Sequence, residues 1–102
     1  FRDGVLDNDL RPWAEAVIRV AHAKSVPLID LNARSYAAVA AMGSVEADTL
    51  AEEPPPKGEL PPGVKSRFDR THLGVKGAAL FSKMMAGEIA AQVPALAAYL
   101  QP

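Results

Sequence analysis

Residues 26–32, VPLIDLN, hold the one convincing β-strand of the chain and decide its predicted fold. Residues 28–31 are a short, mostly apolar run that follows a proline, which no preceding helix can pass. Apolar residues at three- and four-residue steps predict a helix before it, from about residue 10 to 24. A second helix is predicted after it, from about residue 33 to 42, with Asn32 as its cap. A strand between two helices, joined by tight turns, is typical of a parallel sheet covered on both faces.

A single strand cannot form that sheet, because its unpaired backbone N–H and C=O groups would be costly to bury. The helices nevertheless carry apolar faces that need a partner, such as Trp13, Val17 and Val20 on the first helix. We therefore expect an α/β fold that is mostly helical here, with one parallel strand. Its other strands are expected to come from outside residues 1–102.

The second half of the chain is predicted to be a loop followed by helices. Gly43 is a natural end for the second helix, and Ser44 is interpreted as the cap of one or two further turns through Leu50. Residues 52–67 are rich in proline and glycine, which predicts an exposed, partly extended loop. A third helix is predicted from about residue 74 to 93, and a short helix over 94–100. A length of 102 residues allows at most one domain, and no internal repeat is present, so we interpret residues 1–102 as part of one domain.

Composition excludes several classes of function. Eleven Lys and Arg residues against 12 Asp and Glu residues give a net charge of −1, which offers no electrostatic reason to expect nucleic acid or a membrane as partner. Cysteine is absent, which excludes disulfides and thiolate metal sites. No apolar run approaches the roughly 18 residues of a membrane helix. The chain opens at Phe1 and not at methionine, so we expect its natural N-terminus to lie elsewhere.

The chemically informative segment is Asp69-Arg70-Thr71-His72, which lies between the long loop and the third helix. A carboxylate three residues before a histidine, across a turn, can reach the imidazole and fix which ring nitrogen carries the proton. The other nitrogen is then prepared to accept a proton from a nucleophile. The alternative is an aspartate that caps the third helix, with an exposed histidine beside it. Spacing alone does not decide between the two.

The wider sequence resembles the SGNH (GDSL-type) hydrolase superfamily. Asp69-x-x-His72, with Gly77 five residues after the histidine, resembles the last block of those enzymes. The stretch FDRTHL at 68–73 looks most like the rhamnogalacturonan acetylesterase branch, as do LRPWAEAV at 10–17 and VPLIDLN at 26–32. The resemblance covers nearly the whole chain except the proline-rich loop.

This resemblance implies the C-terminal part of a three-layer α/β/α (flavodoxin-like) domain with five parallel strands. It also implies a carbohydrate acetylesterase, a serine hydrolase that cleaves acetyl or other short acyl esters, on plant cell-wall polysaccharide. Asp69 and His72 would be the catalytic acid–base pair of a Ser-His-Asp triad, with no cofactor and no metal. By the same resemblance the protein would be secreted or periplasmic in a bacterium.

The chain departs from the family pattern because the serine, glycine and asparagine blocks are not present. None of its serines has the Gly-Asp-Ser context of a nucleophile: Ser25, Ser35, Ser44, Ser66 and Ser82. We therefore expect the chain alone to be inactive, and a missing N-terminal segment to supply the nucleophile and the oxyanion hole. The competing hypothesis is a non-enzymatic helical interaction module in which Asp69 and His72 are incidental.

The remaining polar and aromatic residues have simpler interpretations. His22 is expected to interact with the C-terminal end of its helix, and Asp30 to make a turn-side hydrogen bond near Asn32. Trp13 is expected in the core rather than in a sugar platform. The acidic residues Asp48, Glu52 and Glu53 are interpreted as a solvated face. Arg70 and Thr71 either contact substrate or shape the turn.

Overall fold

The computed structural model describes residues 1–53, 56–64 and 68–100. Three α-helices, α1 (Arg11–Ala23), α2 (Leu31–Asp48) and α3 (Val75–Gln92), are followed by a 3₁₀ helix over Pro94–Tyr99. These bounds confirm the predicted positions of the first and third helices within one or two residues. In the part of the chain that the structure describes, the fold is mostly helical, as predicted, and α/β character is not seen.

The first helix begins and ends where the sequence indicates. Pro12 lies in its first turn, where the missing N–H has no helical partner to lose. The backbone N–H of Lys24 donates to the carbonyl of Val20 at 3.0 Å and completes the last turn. Ser25 then takes a left-handed conformation with φ of 52°, which ends the helix before Pro27. His22 lies in the last turn of the helix.

The predicted strand at 28–31 is wrong. Residues 26–30 form an irregular connection, and Leu31 is already the first residue of α2. Asp30, and not Asn32, caps this helix: its Oδ1 accepts the backbone N–H of Ala33 at 2.9 Å. Within the described ranges the segment has no strand to pair with, so the local cap decides its conformation. The predicted turn-side hydrogen bond of Asp30 is confirmed.

Gly43 kinks α2 instead of ending it. Its backbone has φ of 76° and ψ of 169°, and the helix resumes behind it and runs to Asp48. Such a conformation is almost restricted to glycine. The predicted break at Gly43 and the predicted turns behind it are thus confirmed, although both stretches belong to one kinked helix that ends at Asp48 and not at Leu50. Behind the kink, the last turn of α2 contacts the segment that precedes α3, where Asp48 pairs with Arg70.

Described residues 56–64 contain no helix or strand and are exposed, which agrees with the predicted loop. Described residues 52 and 53 of that loop are exposed as well, and its residues 54, 55 and 65–67 lie outside the described residues.

The packed part of the molecule is small. α2 contacts α3, and α3 contacts the 3₁₀ helix. Ion pairs Arg34–Glu88 and Lys76–Glu46 join α2 to α3 at two levels. Among the described residues only two apolar side chains are buried, Ala21 and Leu50.

The shape of the chain agrees with this small core. Its radius of gyration is 16.8 Å, whereas a compact chain of this length has about 13 Å. Trp13 is 71% exposed, and Val17 and Val20 on the same face of α1 are exposed as well. The prediction that Trp13 packs in a core is therefore wrong within this chain, because no described element covers that face.

Candidate active site: the Asp69–His72 turn

The turn formed by residues 68–73 is tied by its backbone to the segment that follows α2. The N–H of Glu52 donates to the carbonyl of His72 at 3.0 Å, and the N–H of Gly74 donates to the carbonyl of Leu50 at 2.9 Å. These bonds surround an isolated antiparallel bridge between Ala51 and Leu73. The turn is thus fixed to a specific part of the fold at its His72 end.

Two glycines allow this close approach. A Cβ atom at Gly74 would lie 2.5 Å from the carbonyl oxygen of Ala51. A Cβ atom at Gly77 would meet the carbonyl oxygen of Leu50 and would lie 2.9 Å from Cδ2 of Leu73. Gly77, which the sequence placed in the helix start behind the histidine, is therefore needed for backbone contact.

Asp69 and His72 are joined by a hydrogen bond. Nδ1 of His72 lies 2.5 Å from Oδ2 of Asp69. The other carboxylate oxygen, Oδ1, accepts the backbone N–H of Thr71 at 2.6 Å. Because both oxygens of Asp69 are engaged within the turn, the carboxylate has a fixed orientation. A carboxylate at Nδ1 favours the tautomer with the proton on that nitrogen, which leaves Nε2 as the basic atom.

The pair shifts the proton affinities of both groups. The hydrogen bond from His72, and then the one from the Thr71 backbone, lower the pKa of Asp69 to about 2. The hydrogen bond with Asp69 is the largest cause of a raised pKa of His72, and the charge of Glu52 adds to it. The His72 side chain is 71% exposed and that of Asp69 is 42% exposed, so solvent screens this interaction.

Arg70 makes a two-point contact with α2. Its Nε lies 2.8 Å from Oδ1 of Asp48, and its Nη2 lies 3.1 Å from Oδ2 of the same carboxylate. The guanidinium also lies over the ring of Phe68, 4.6 Å from its centroid. Thr71 contributes its backbone N–H to the carboxylate of Asp69. The sequence left two roles open for Arg70 and Thr71, contact with substrate and shaping of the turn. The contacts described above correspond to the second role.

A small, mostly apolar cavity of about 160 Å³ lies beside the turn. Arg70 and Leu73 face it from the turn, and Leu50, Val39 and Phe81 are among its other walls. Asp69 and His72 are not among the residues that line it. Arg70 and Leu73 are therefore the residues of the turn that line the cavity, and the acid–base pair lies outside its lining.

The structure describes no nucleophile next to His72. No hydrogen bond joins Nε2 of His72 to another group among residues 1–53, 56–64 and 68–100. The hydroxyl of Ser35 donates instead to the carbonyl of Asn32 at 3.2 Å. Ser66 lies outside the described residues. Within the described ranges, no group of three or more His, Cys, Asp or Glu side chains could hold a metal ion.

Asp48 and Glu52 were missed as parts of the site. The sequence interpretation assigned both to a solvated acidic face, but the Asp48 side chain is only 20% exposed and pairs with Arg70. Glu52 holds the carbonyl of His72 through its backbone and acts on the imidazole through its charge. No local pattern could have shown these contacts, since each joins residues about 20 positions apart.

A second polar cluster joins the start of α1 to the start of α2. Arg11 Nη1 donates to Asp30 Oδ2 at 2.8 Å, and Asn32 Nδ2 donates to Asn8 Oδ1 at 3.0 Å. Arg11 also pairs with Glu15 on its own helix. Every member has a partner inside the cluster, so it is explained as the connection between the two helix ends.

In comparisons with known proteins, no family model, no curated protein and no solved structure matches the chain. None of the described helices combines the length and apolar character that a membrane crossing needs.

Proposed function

We propose that this chain supplies the acid–base pair, Asp69 and His72, of a Ser-His-Asp triad in an SGNH-type esterase. The substrate class would be acetyl or other short acyl esters on plant cell-wall polysaccharide. The observation that carries the proposal is the hydrogen bond of 2.5 Å between Nδ1 of His72 and Oδ2 of Asp69, with the imidazole otherwise exposed. This is the arrangement that a general base requires before a nucleophile is added.

The mechanism follows from the tautomer that the pair favours. Nε2 of His72 takes the proton of a serine hydroxyl as its oxygen attacks the ester carbonyl, and Asp69 stabilises the imidazolium. The imidazolium then protonates the sugar oxygen as the bond between that oxygen and the acyl carbon breaks. A water molecule repeats the sequence on the acyl-serine, releasing the carboxylate and regenerating the serine.

The nucleophile in this proposal comes from polypeptide outside the 102 residues. The small core and the exposed apolar face of α1 around Trp13 support this part of the proposal, because both are expected of a chain that packs against further elements. The three-layer α/β/α fold, the missing N-terminal segment that carries the serine and oxyanion hole, and a secreted or periplasmic location belong to the same proposal.

A helical interaction module is the second candidate, and the exposed α1 face also favours it. The two differ in solution behaviour. A module that folds alone should be monomeric with one cooperative thermal transition. A chain that needs a partner segment should aggregate or show a broad transition until that segment is added.

The deciding experiment compares the two histidines of the chain. In the protein that includes the residues encoded before Phe1, His72→Ala should abolish hydrolysis of a chromogenic acetate ester and labelling by a fluorophosphonate. His22→Ala, which removes the other histidine from the end of α1, is the matched control and should retain both. Retained activity in the His72→Ala protein would reject His72 as the base, and retained labelling would show that His72 does not activate the serine.

A further inference from the structure

The ion pair between Arg70 and Asp48 has a geometry that few exposed pairs have. Two guanidinium nitrogens bind two carboxylate oxygens, at 2.8 and 3.1 Å, and the ring of Phe68 lies under the same guanidinium. A planar fork on a carboxylate, supported by an aromatic face, fixes the direction of a side chain more firmly than a single contact does. Asp48 is the last residue of α2. The fork therefore attaches the turn to the end of that helix.

The Asp69–His72 hydrogen bond needs such an attachment. Both side chains are substantially exposed, and an exposed pair contributes little to its own geometry. The backbone bond from Glu52 fixes the turn at the carbonyl of His72. Arg70 directly follows Asp69, so its contact with Asp48 fixes the other end of the same turn.

We propose that Arg70 is a positioning residue, which holds the 68–73 turn against the end of α2 and thereby keeps Asp69 and His72 in contact. Its importance for catalysis rests on the proposed function of the pair. Arg70 faces the cavity behind the turn, whereas Asp69 and His72 do not line that cavity. Arg70 is therefore proposed to act by holding the turn, and not by contacting a substrate bound at Nε2 of His72.

The direction in which the pKa of His72 changes on replacement of Arg70 distinguishes a positioning role from a purely electrostatic one. Removing a nearby positive charge would by itself raise the pKa of His72, because the imidazolium would lose a repelling neighbour. Losing the contact with Asp69 would lower that pKa, because the carboxylate is the main group that favours the charged imidazole. The charge of Glu52 also raises the pKa of His72, and a substitution at Arg70 leaves that charge in the chain.

The test is an NMR titration of the His72 imidazole in the protein that includes the residues encoded before Phe1, with the resonance assigned by its loss in His72→Ala. In Arg70→Ala the titration midpoint should fall by at least about 0.5 pH unit. Arg70→Lys keeps the charge but not the fork, and should give a smaller fall in the same direction. Arg34→Ala is the matched control, since it removes an arginine that joins α2 to α3 through Glu88, away from the turn. It should leave the midpoint unchanged.

An unchanged or raised midpoint in Arg70→Ala would overturn the assignment. An ordinary midpoint in the unaltered chain would overturn it as well, because the pair would then not form. If Arg70→Ala loses its helical circular dichroism, the comparison of Arg70→Lys with Arg34→Lys decides in its place. The titration reports only on the pair, so its failure is distinct from a failure of the His72→Ala activity assay, which would reject the proposed function.

Discussion

Gly77, in the first turn of α3, lies directly against the carbonyl oxygen of Leu50, with no room for a Cβ atom between them. Leu50 is one of the two buried apolar residues of the described chain, and its carbonyl also accepts the N–H of Gly74. The start of α3 and the segment after α2 are thus in backbone contact at this point. The candidate catalytic turn, residues 68–73, directly precedes the start of α3. A substitution that disturbs the contact between Gly77 and Leu50 should therefore disturb the turn as well.

We expect Gly77→Ala to destabilise the chain by about 1–3 kcal/mol, because the methyl group can be accommodated only if α3 moves away from Leu50. Urea unfolding, followed by circular dichroism, measures the change. Gly87→Ala in the same helix is the control. A Cβ atom at Gly87 meets nothing within 4 Å, so alanine should stabilise the helix by about 0.5–1 kcal/mol. Equal effects of the two substitutions would contradict the close approach.

Replacement of Gly43 by alanine tests the kink in α2. The φ of 76° and ψ of 169° at this residue are strained for any side chain, although open space surrounds the position. We expect a loss of about 1–3 kcal/mol in the free energy of unfolding, from backbone strain alone. A gain in stability with higher helical content would mean that α2 runs straight through residue 43.

Asp30→Ala should weaken the start of α2. The substitution removes the acceptor for the N–H of Ala33 and the partner of Arg11, and loss of the cap alone costs about 1 kcal/mol. Glu15→Ala removes the other carboxylate partner of Arg11 but no cap, and should have a smaller effect on the urea midpoint. The reverse order of the two effects would show that Asp30 is not the effective cap.

The Asp69–His72 pair should give a defined dependence of stability on pH. The pKa of Asp69 is lowered from 3.8 to about 2, so its contribution is present above about pH 4 and is lost as the pH falls toward 2. The pKa of His72 is raised above 6.5, so its contribution is complete below about pH 6.5 and is lost as the pH rises through the folded-state pKa. The pair thus contributes most between about pH 4 and 6.5.

Asp69→Asn should flatten this profile and lower the pKa of His72 toward its ordinary value. Unfolding midpoints measured between pH 3 and 8 check the first effect, and an NMR titration of the imidazole checks the second. Asp9→Asn is the control, since it removes a carboxylate from the loop before α1 and should leave the His72 titration unaltered. A profile that is the same in Asp69→Asn and in the unaltered chain would contradict a functional contact between the two side chains.

The local elements were largely predictable from the sequence because short-range chemistry determines them. Pro12 and Pro27 delimit α1, and proline and glycine exclude regular structure from the described part of the loop. The hydrogen bond across Asp69-x-x-His72 spans only three residues, so the sequence showed that the contact could form, although spacing alone did not distinguish it from an aspartate that caps α3. The break at Gly43 and the further helical turns behind it were also visible in the sequence.

Tertiary structure decided the features that depend on residues far apart in the chain. Whether 28–31 forms a strand depends on a neighbouring strand, and none pairs with it within the described ranges, so the cap at Asp30 determined the outcome. Whether Trp13 is buried depends on what covers α1, which its own periodicity cannot tell. Asp48 pairs with Arg70, which lies 22 positions further along the chain. The pair can form because the end of α2 lies close to the start of α3, where Gly77 contacts Leu50. The sequence alone placed Asp69 and His72 close enough to form a hydrogen-bonded acid–base pair. The packing of α2 against α3 determined how the turn that carries this pair is held.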